Sequence, residues 1–428
     1  MESLKEQAGM TGDSTRFALP PDQLRKHLVP GAFLAIAIVG FAYSAVRAIA
    51  SDNGNYNLHV QQAFSFIHGE LFVINPVNDV ALYNDHYYSV FPPFPAILMV
   101  PFVLIFGAAA AKGTVLALLL TALGAVALFR IFVALEVSKP TAFWLAAGFF
   151  LGTGYWFAIL GSSAVWMLSQ TVAVNCALIS FYFLIAARQS VWSIALAGLF
   201  LGFAFTSRQV TIYLIVFSLM YLWSSVAKND TGKFLRFAGA FIAPFAACLG
   251  LYMLFNQLRF GSALETGYRY ILLGDSLGGE RFRTYGLFNT AYLPFNLNSM
   301  FLSGFQLDFG GSTMTDVQSI SPWGTSLLFA SPFLITAFYA RGPKWVIAAA
   351  WASIGFALLH MLLYFNNGYV QVNTNRFTLD FLPLLMILCA LGIKKAPTIL
   401  WRAGIVWAIA LNFLAFVVLA AMHVTAGT

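Results

Sequence analysis

The sequence has few charged residues, and this shortage limits the class of protein it can encode. Only 9% of its 428 residues are charged, whereas a soluble globular domain has about 25%. Hydrophobic residues make up 60% of the chain, and the mean hydropathy is +0.79. This composition excludes an ordinary soluble domain and indicates a polytopic membrane protein.

Cysteine is also scarce. The three cysteines, Cys176, Cys248 and Cys389, all fall within long apolar segments. This placement argues against a disulfide framework or a cysteine metal site and favours small apolar packing residues.

Long apolar runs dominate what is present. A spanning helix needs about 20 apolar residues, and we predict eleven spans, at 29–50, 113–134, 140–158, 163–186, 190–206, 209–225, 235–256, 324–340, 345–365, 378–393 and 403–424. The expected fold is an all-α membrane domain over 29–428. Residues 1–28 are polar, lack the features of a signal peptide, and are expected to be a cytoplasmic segment.

The distribution of Lys and Arg predicts the orientation. With the N-terminus in the cytoplasm, fifteen of the 23 basic residues are cytoplasmic, so the net charge of +7 reflects membrane topology and not nucleic-acid binding. The basic residues on the other face are Arg47, Lys112, Arg208, Arg259, Arg269, Arg281, Arg283 and Arg376. This preference for Arg suggests an anionic ligand, although Arg also tolerates interfacial burial better than Lys.

Two predicted loops on the non-cytoplasmic face are long, 51–112 and 257–323. Long ordered loops in a compact protein are usually functional. The first is expected to contain a helix over 55–69 and, after Pro92 and Pro93, an apolar helix too short to span comfortably.

Asp52 follows the first predicted span directly. A carboxylate at this boundary is costly unless it has a partner or a function. It is suited to accept a proton from a hydroxyl substrate, and it is equally suited to cap a helix that begins near Asn55. Its sequence position leaves both roles open.

The first loop also contains Asp79, Asp85, His86 and Tyr88, within and just before YNDHYYSVFPP. Tyrosine faces suit sugars, and Asp and His suit sugar hydroxyls; an aromatic belt at the membrane surface is the alternative. The spacing of the histidines matches no metal-ligand pattern, so a divalent cation is possible but not favoured.

Arg208 lies between two apolar runs, where a buried cation needs a partner or a polar cavity. A lipid-borne phosphate would bind it bidentately, and snorkelling to headgroups is the alternative. Arg376 and Asp380 are four residues apart, which predicts a local ion pair that could also orient Arg376 toward a ligand. Arg259 and Glu265 could act in the same way.

Several motifs, in order, resemble the GT-C superfamily of membrane glycosyltransferases, of the protein-mannosyltransferase and aminoarabinose-transferase type. They are Asp52 with Tyr56, then VFPPFPAILMVPFVLIFG, TSRQ, RFGSALETGY and NRFTLDFLP. The sequence departs from the family at Asn53, where relatives often have a second acid, and at Phe91, where many have His or Lys.

The resemblance implies a GT-C fold and an inverting transfer of sugar from a polyprenyl-phosphate donor to an acceptor hydroxyl on the extracytoplasmic face, as in a bacterial inner membrane. The acceptor would be a glycolipid, a polysaccharide or a protein. Asp52 would be the base, and no metal would be required. Arg208, Arg376 and Arg259 would bind the donor phosphate. The sugar and acceptor pockets would be formed by Asn53, Tyr56, His59, Asp85, His86, Tyr88, Glu265 and Tyr268.

Two alternatives belong to other classes. An oligosaccharide polymerase or ligase would also use arginines in outer loops, but with a pyrophosphate-linked donor. A flippase or transporter would need ionisable groups or broken helices near the midplane, and this chain has almost no ionisable residues in the middle of its predicted spans.

Overall fold

The computed structural model describes residues 21–275, 277–366 and 371–426, and within these ranges the chain is mainly helical. Its helices are α1 Pro21–Ser51, α2 Leu58–Ile67, α3 Phe94–Phe106, α4 Gly113–Ala134, α5 Lys139–Gly152, α6 Tyr155–Leu160, α7 Val165–Phe181, α8 Val191–Phe205, α9 Leu214–Tyr221, α10 Thr231–Phe260, α11 Leu277–Tyr285, α12 Leu293–Leu297, α13 Leu327–Ala330, α14 Lys344–Leu362, α15 Leu382–Gly392 and α16 Thr398–Phe413. Short 3-10 and π-helical segments extend or connect several of them.

Seven of the eleven predicted spans coincide with helices that are long and apolar enough to cross a membrane. These are Val29–Ser51, Gly113–Ala134, Val165–Ala186, Gln209–Val226, Thr231–Phe260, Lys344–Leu362 and Thr398–Leu419. The all-α membrane class is therefore confirmed, whereas the count of eleven spans is not.

The other four predicted spans are shorter or broken. The segment 140–158 divides between α5 and α6 at Thr153, whose hydroxyl accepts a hydrogen bond from the Tyr155 amide. The Asn412 side chain donates to the backbone carbonyls at this break. The segment 324–340 becomes α13 and a 3-10 helix that begins at Pro332. The segments 190–206 and 378–393 form α8 and α15, of 15 and 11 residues.

Short strands also form, most of them in the two long loops, and the all-α prediction did not include them. The strands are β1 Val80–Tyr83, β2 His86–Ser89, β3 Leu307–Gly310, β4 Asp316–Ile320, β5 Trp323–Thr325, β6 Gln371–Thr374 and β7 Thr425–Ala426. They pair as β1-β2, β3-β4-β7 and β5-β6. Asn84 and Asp85 have positive φ, as a tight hairpin turn between β1 and β2 requires.

Backbone contacts join the two loops at one end of the bundle. The Leu272 amide donates to the Val80 carbonyl at 2.9 Å, and Ala81 pairs with Ile271. The Tyr83 hydroxyl donates to the carbonyl of Phe260, at the end of α10. The loops therefore form one cap, and the predicted helices within the first loop are confirmed as α2 and α3.

Close helix packing supports this cap. Helix α7 is almost entirely buried between α4 and α8, and α8 packs closely against α10 through small residues. A Cβ added at Gly198 would overlap the Phe241 carbonyl oxygen, and one at Gly202 would lie 2.7 Å from the Cys248 sulfur. Small residues at such contacts let helix backbones approach in a membrane.

We predict that Gly198→Ala destabilises the protein. Overpacking a tight contact costs about 1–3 kcal/mol, which outweighs the 0.5–1 kcal/mol that Ala normally gains over Gly inside a helix. Gly239→Ala, on α10 in open space, is the matched control and is expected to be neutral or stabilising. Thermal unfolding of both variants in detergent measures the difference, and equal melting temperatures would contradict the packing argument.

Candidate functional site

A cavity of about 280 Å³ lies where the loop cap meets the ends of the membrane helices. Its wall includes the junction between α8 and α9 at Ser207 to Val210, the end of α14 at His360 and Met361, and Trp166 on α7. We call it the helix cavity. Its wall is mostly apolar, and the charged residues within it are Asp79, Arg208 and Arg376.

A second cavity, of about 820 Å³, adjoins it. Apart from Trp166 on α7, its wall comes from the two long loops and from the segment after α14, and we call it the loop cavity. Asp79, Trp166, Phe365, Asn366 and Arg376 line both cavities. The two cavities therefore meet at one carboxylate, that of Asp79, and one guanidinium, that of Arg376.

Arg208 forms a buried bidentate ion pair with Asp380. Its Nε donates to Oδ1 at 3.0 Å and its Nη2 to Oδ2 at 2.6 Å. The side chains are 16% and 1% exposed, so the contact is protected from solvent screening. Arg208 thus has a partner, which its position between two apolar runs required, but the predicted local pair between Arg376 and Asp380 is wrong, because Asp380 binds Arg208.

Arg376 begins a 3-10 helix, Arg376–Asp380, and is 5% exposed. Its backbone carbonyl accepts the Gln170 side-chain amide at 2.9 Å. Its guanidinium lies 5.4 Å from the Trp166 ring centroid and 5.3 Å from that of Phe377. Burial and the nearby charge of Arg208 lower the pKa of Arg376, while Asp79 opposes this effect; the group remains charged, as Arg does in proteins.

Asp79 is held in an unusual conformation at the start of the β1-β2 hairpin. Its φ is +64°, which an L side chain rarely adopts without local cost. Burial raises the pKa of its carboxyl, and the charge of Arg376 partly opposes the rise. A strained, partly desolvated carboxylate between two cavities has the properties expected of a general base.

Neutral hydrogen-bonding groups complete the helix cavity. Tyr268 and Tyr364 interact through their side chains, and burial raises the pKa of both hydroxyls, so both stay protonated. His360 Nδ1 lies 3.2 Å from the Tyr213 hydroxyl. Tyr268 is the member of this group that the sequence predicted.

Asp52 lies elsewhere. It is 3% exposed, its Oδ2 accepts the Thr114 amide at 2.9 Å, and its Oδ1 has no hydrogen-bond partner among the described residues. It lines neither cavity. The carboxylate thus binds the start of α4, and the cap that the sequence left open for the helix near Asn55 is not the one that Asp52 forms.

Arg259, which is buried, and Tyr88, which is half-buried, form a separate group. Arg259 donates to the Ser89 carbonyl at 2.6 Å and to the Asn256 side chain at 2.8 Å, and its guanidinium lies 3.9 Å from the centroid of Phe255. Tyr88 packs edge-on against Phe260. The contacts of Arg259 join the end of α10 to the hairpin, and neither Arg259 nor Tyr88 lines the helix cavity or the loop cavity.

The remaining predicted residues are dispersed. Asn53 caps a 3-10 turn, and Tyr56 is 78% exposed. His59 is fully buried against the Ser169 hydroxyl at 2.7 Å, and burial lowers its pKa to about 3, so it is neutral. Asp85 and His86 lie on the exposed hairpin, and Glu265 accepts the Gly267 amide.

Sequence reasoning thus found Arg208, Arg376 and Tyr268, and it named Asp79 only as one polar residue of an aromatic loop. Trp166, His360 and Tyr364 were not predicted, because each lies within or beside an apolar run. Within the described residues, no group of three or more His, Cys, Asp or Glu side chains is placed to hold a metal ion. That no metal is required stays a prediction.

No family model matches the sequence, and no curated protein is similar to it. In fold it is similar to ArnT from Cupriavidus metallidurans bound to undecaprenyl phosphate, with a TM-score of 0.50, 14% identity, and coverage of 87% of this chain and 61% of ArnT. The archaeal oligosaccharyltransferase AglB from Archaeoglobus fulgidus, in complex with an inhibitory peptide and a dolichol-phosphate, matches at a TM-score of 0.44 and 12% identity, over 95% of this chain and 57% of AglB. The chain thus spans only 61% of the length of ArnT, and the likeness to ArnT shows that it has the GT-C fold predicted from its motifs.

Proposed function

We propose that the protein is an inverting membrane glycosyltransferase, which transfers a sugar from a polyprenyl-phosphate donor to an acceptor hydroxyl on the non-cytoplasmic face. The observation that carries the proposal is the meeting of two different cavities at Asp79 and Arg376. A transferase needs two substrate paths that converge on a base and on a group that stabilises the leaving phosphate.

The helix cavity suits the donor. Its wall includes the ends of the apolar segments Gln209–Val226 and Lys344–Leu362, so a lipid-borne substrate can reach it from the bilayer. Arg208 and Arg376 supply charge for a phosphate. The solved ArnT structure, which is similar in fold, is bound to undecaprenyl phosphate, and this supports a lipid phosphate as the donor carrier here.

The loop cavity suits the acceptor. Its wall comes mainly from the loop cap, and it presents the indoles of Trp166 and Trp323 beside Asn78 and Asp79. Aromatic faces and amide or carboxylate groups are what a sugar acceptor requires. An acceptor hydroxyl that enters here meets Asp79 at the boundary with the donor.

In the proposed reaction, the acceptor oxygen attacks the anomeric carbon while Asp79 takes its proton. The bond between that carbon and the phosphate oxygen breaks, and the electron pair leaves with the polyprenyl phosphate. One displacement inverts the configuration. Arg376, held by Trp166, Phe377 and Gln170, stabilises the developing charge without reorganisation, an effect worth several kcal/mol in a water-poor site.

Charge balance supports this role of Asp79. Before reaction, Arg208 and Arg376 balance Asp79 and Asp380. When Asp79 takes the proton, the protein side of the site gains one unit of positive charge as the phosphate gains one unit of negative charge. Asp380 cannot serve as the base in this way, because Arg208 engages both of its oxygens.

The first experiment is transfer by purified protein from a labelled polyprenyl-phosphate sugar, with release of polyprenyl phosphate measured by chromatography. We expect turnover with the monophosphate donor and little with the matched pyrophosphate donor, since the helix cavity is small. Preference for the pyrophosphate donor would instead favour a polymerase or ligase.

We predict that Asp79→Asn lowers kcat by about 10²- to 10⁴-fold, the contribution typical of a general base. Asp52→Asn makes the same change outside both cavities, and its amide oxygen can still accept the Thr114 amide, so we expect near-normal kcat. Steady-state values of kcat for the two variants show whether Asp79 or Asp52 is the general base. The reverse result would support Asp52, the base predicted from sequence.

The pH dependence gives a separate prediction. Only the ionised carboxylate accepts a proton, so kcat/KM should fall as the pH decreases through the pKa of Asp79, which burial raises above its ordinary 3.8. Below that pKa, the rate should fall tenfold per pH unit. Asp52→Asn should keep this acid limb and Asp79→Asn should lose it; an unchanged limb in Asp79→Asn would contradict the assignment.

A further inference from the structure

The loop cavity contains a second cation that the proposed reaction does not use. Arg281, on α11, lines this cavity together with Trp323 and Asp79. Its guanidinium lies 4.8 Å from the ring centroid of Tyr292 and 5.4 Å from that of Phe295. The side chain is half-buried, so it has already lost part of its hydration.

The other arginines of this loop have acidic partners. Arg269 lies 3.8 Å from Glu265, and Arg283 lies 3.6 Å from Asp275, and both arginines are exposed. Within the described part of the chain, no Asp or Glu lies within ion-pairing distance of Arg281. The arginine that faces the cavity is thus the one of the three whose charge is not balanced by a neighbouring carboxylate.

The backbone holds Arg281 in place independently of its side chain. The Tyr292 hydroxyl donates to the Arg281 carbonyl at 2.9 Å and to the Gly286 carbonyl at 2.6 Å. Arg281 lines the loop cavity but not the helix cavity, whereas Asp79 and Arg376 line both. Arg281 is therefore a charged group separate from the reacting pair.

A partly desolvated guanidinium without a counter-ion is costly to keep. An anionic group on a substrate would remove that cost and form charge-assisted hydrogen bonds. A neutral sugar would stack on the tryptophan rings of the cavity but would leave Arg281 without a counter-ion. The alternative is that the rings of Tyr292 and Phe295 are the only partners that Arg281 needs.

We propose that the acceptor is an anionic sugar, bearing a carboxylate or phosphate substituent that Arg281 binds in the loop cavity. The inference rests on the proposed function for the role of that cavity. Arg281 then determines which acceptors are used, and it takes no part in bond formation.

Binding of three probes to the full-length protein tests this directly, by quenching of tryptophan fluorescence. The probes are methyl glucuronide, methyl glucoside 6-phosphate and neutral methyl glucoside. We expect at least one anionic probe to bind about ten- to a hundredfold more tightly than the neutral one, the range of a hydrogen bond to a charged group. The preferred probe identifies the anionic group as carboxylate or phosphate.

Variants separate recognition from packing. Arg281→Gln should abolish the preference for anionic probes, because the Tyr292 bonds are to the backbone and survive the change. Arg281→Lys should restore part of it. Arg283→Gln, which removes an exposed arginine of the same helix, is the matched control and should keep the preference. Equal binding of the three probes, or an unchanged preference in Arg281→Gln, would overturn the proposal.

Hydrolysis of the labelled donor in the absence of acceptor provides a separate readout. It depends on the helix cavity and should be unchanged in Arg283→Gln, the matched control, since Arg283 lines neither cavity. If the wild-type protein releases no sugar from the donor to water or to any acceptor, the proposed function fails, whatever the probes show. If the donor reacts but the probes bind equally, the anionic acceptor alone is wrong.

Discussion

The ion pair between Arg208 and Asp380 is the contact on which the site depends. It joins the α8–α9 junction to the turn before α15, across 172 residues of sequence. Either charge without its partner would destabilise the folded protein, since an isolated buried ion costs several kcal/mol. Because Asp380 ends the 3-10 helix that Arg376 begins, the pair also fixes the segment that carries Arg376. Removing either partner would therefore disturb two arginines at once.

Around that pair, the molecule restrains each charged group by a different kind of contact. Rings restrain the guanidinium of Arg376, and Gln170 restrains its backbone. A hairpin with an unfavourable φ restrains Asp79. Each restraint comes from another part of the chain, so the geometry is set before any substrate binds. Such preorganisation is the main way in which protein dipoles and charges stabilise a transition state.

The sequence predicted the apolar helices well because length and hydropathy alone determine them. It also placed Arg208 correctly, because a boundary arginine requires a partner. The sequence did not predict that the partner of Arg208 is Asp380. Arg376 and Asp380 share a face in an α-helix, but in the 3-10 helix that forms, three residues complete a turn and the i, i+4 alignment is lost. The sequence favoured Asp52 as the base and the cavities favour Asp79, because proximity to a span is visible in one dimension and the meeting of two cavities at a hairpin is not.

Two opposing effects act on the Asp79 carboxyl at the junction of the cavities, and both bear on its proposed role as a base. In open water the carboxylate would be a weaker base, and fully buried it would be protonated and inactive. At the junction, burial raises the pKa of Asp79 while the charge of Arg376 limits the rise, so the carboxylate gains basicity while a neighbouring cation still favours its ionised form. Asp79 and Arg376 both line the two cavities, so the proposed base and the cation proposed to bind the phosphate lie at the same junction.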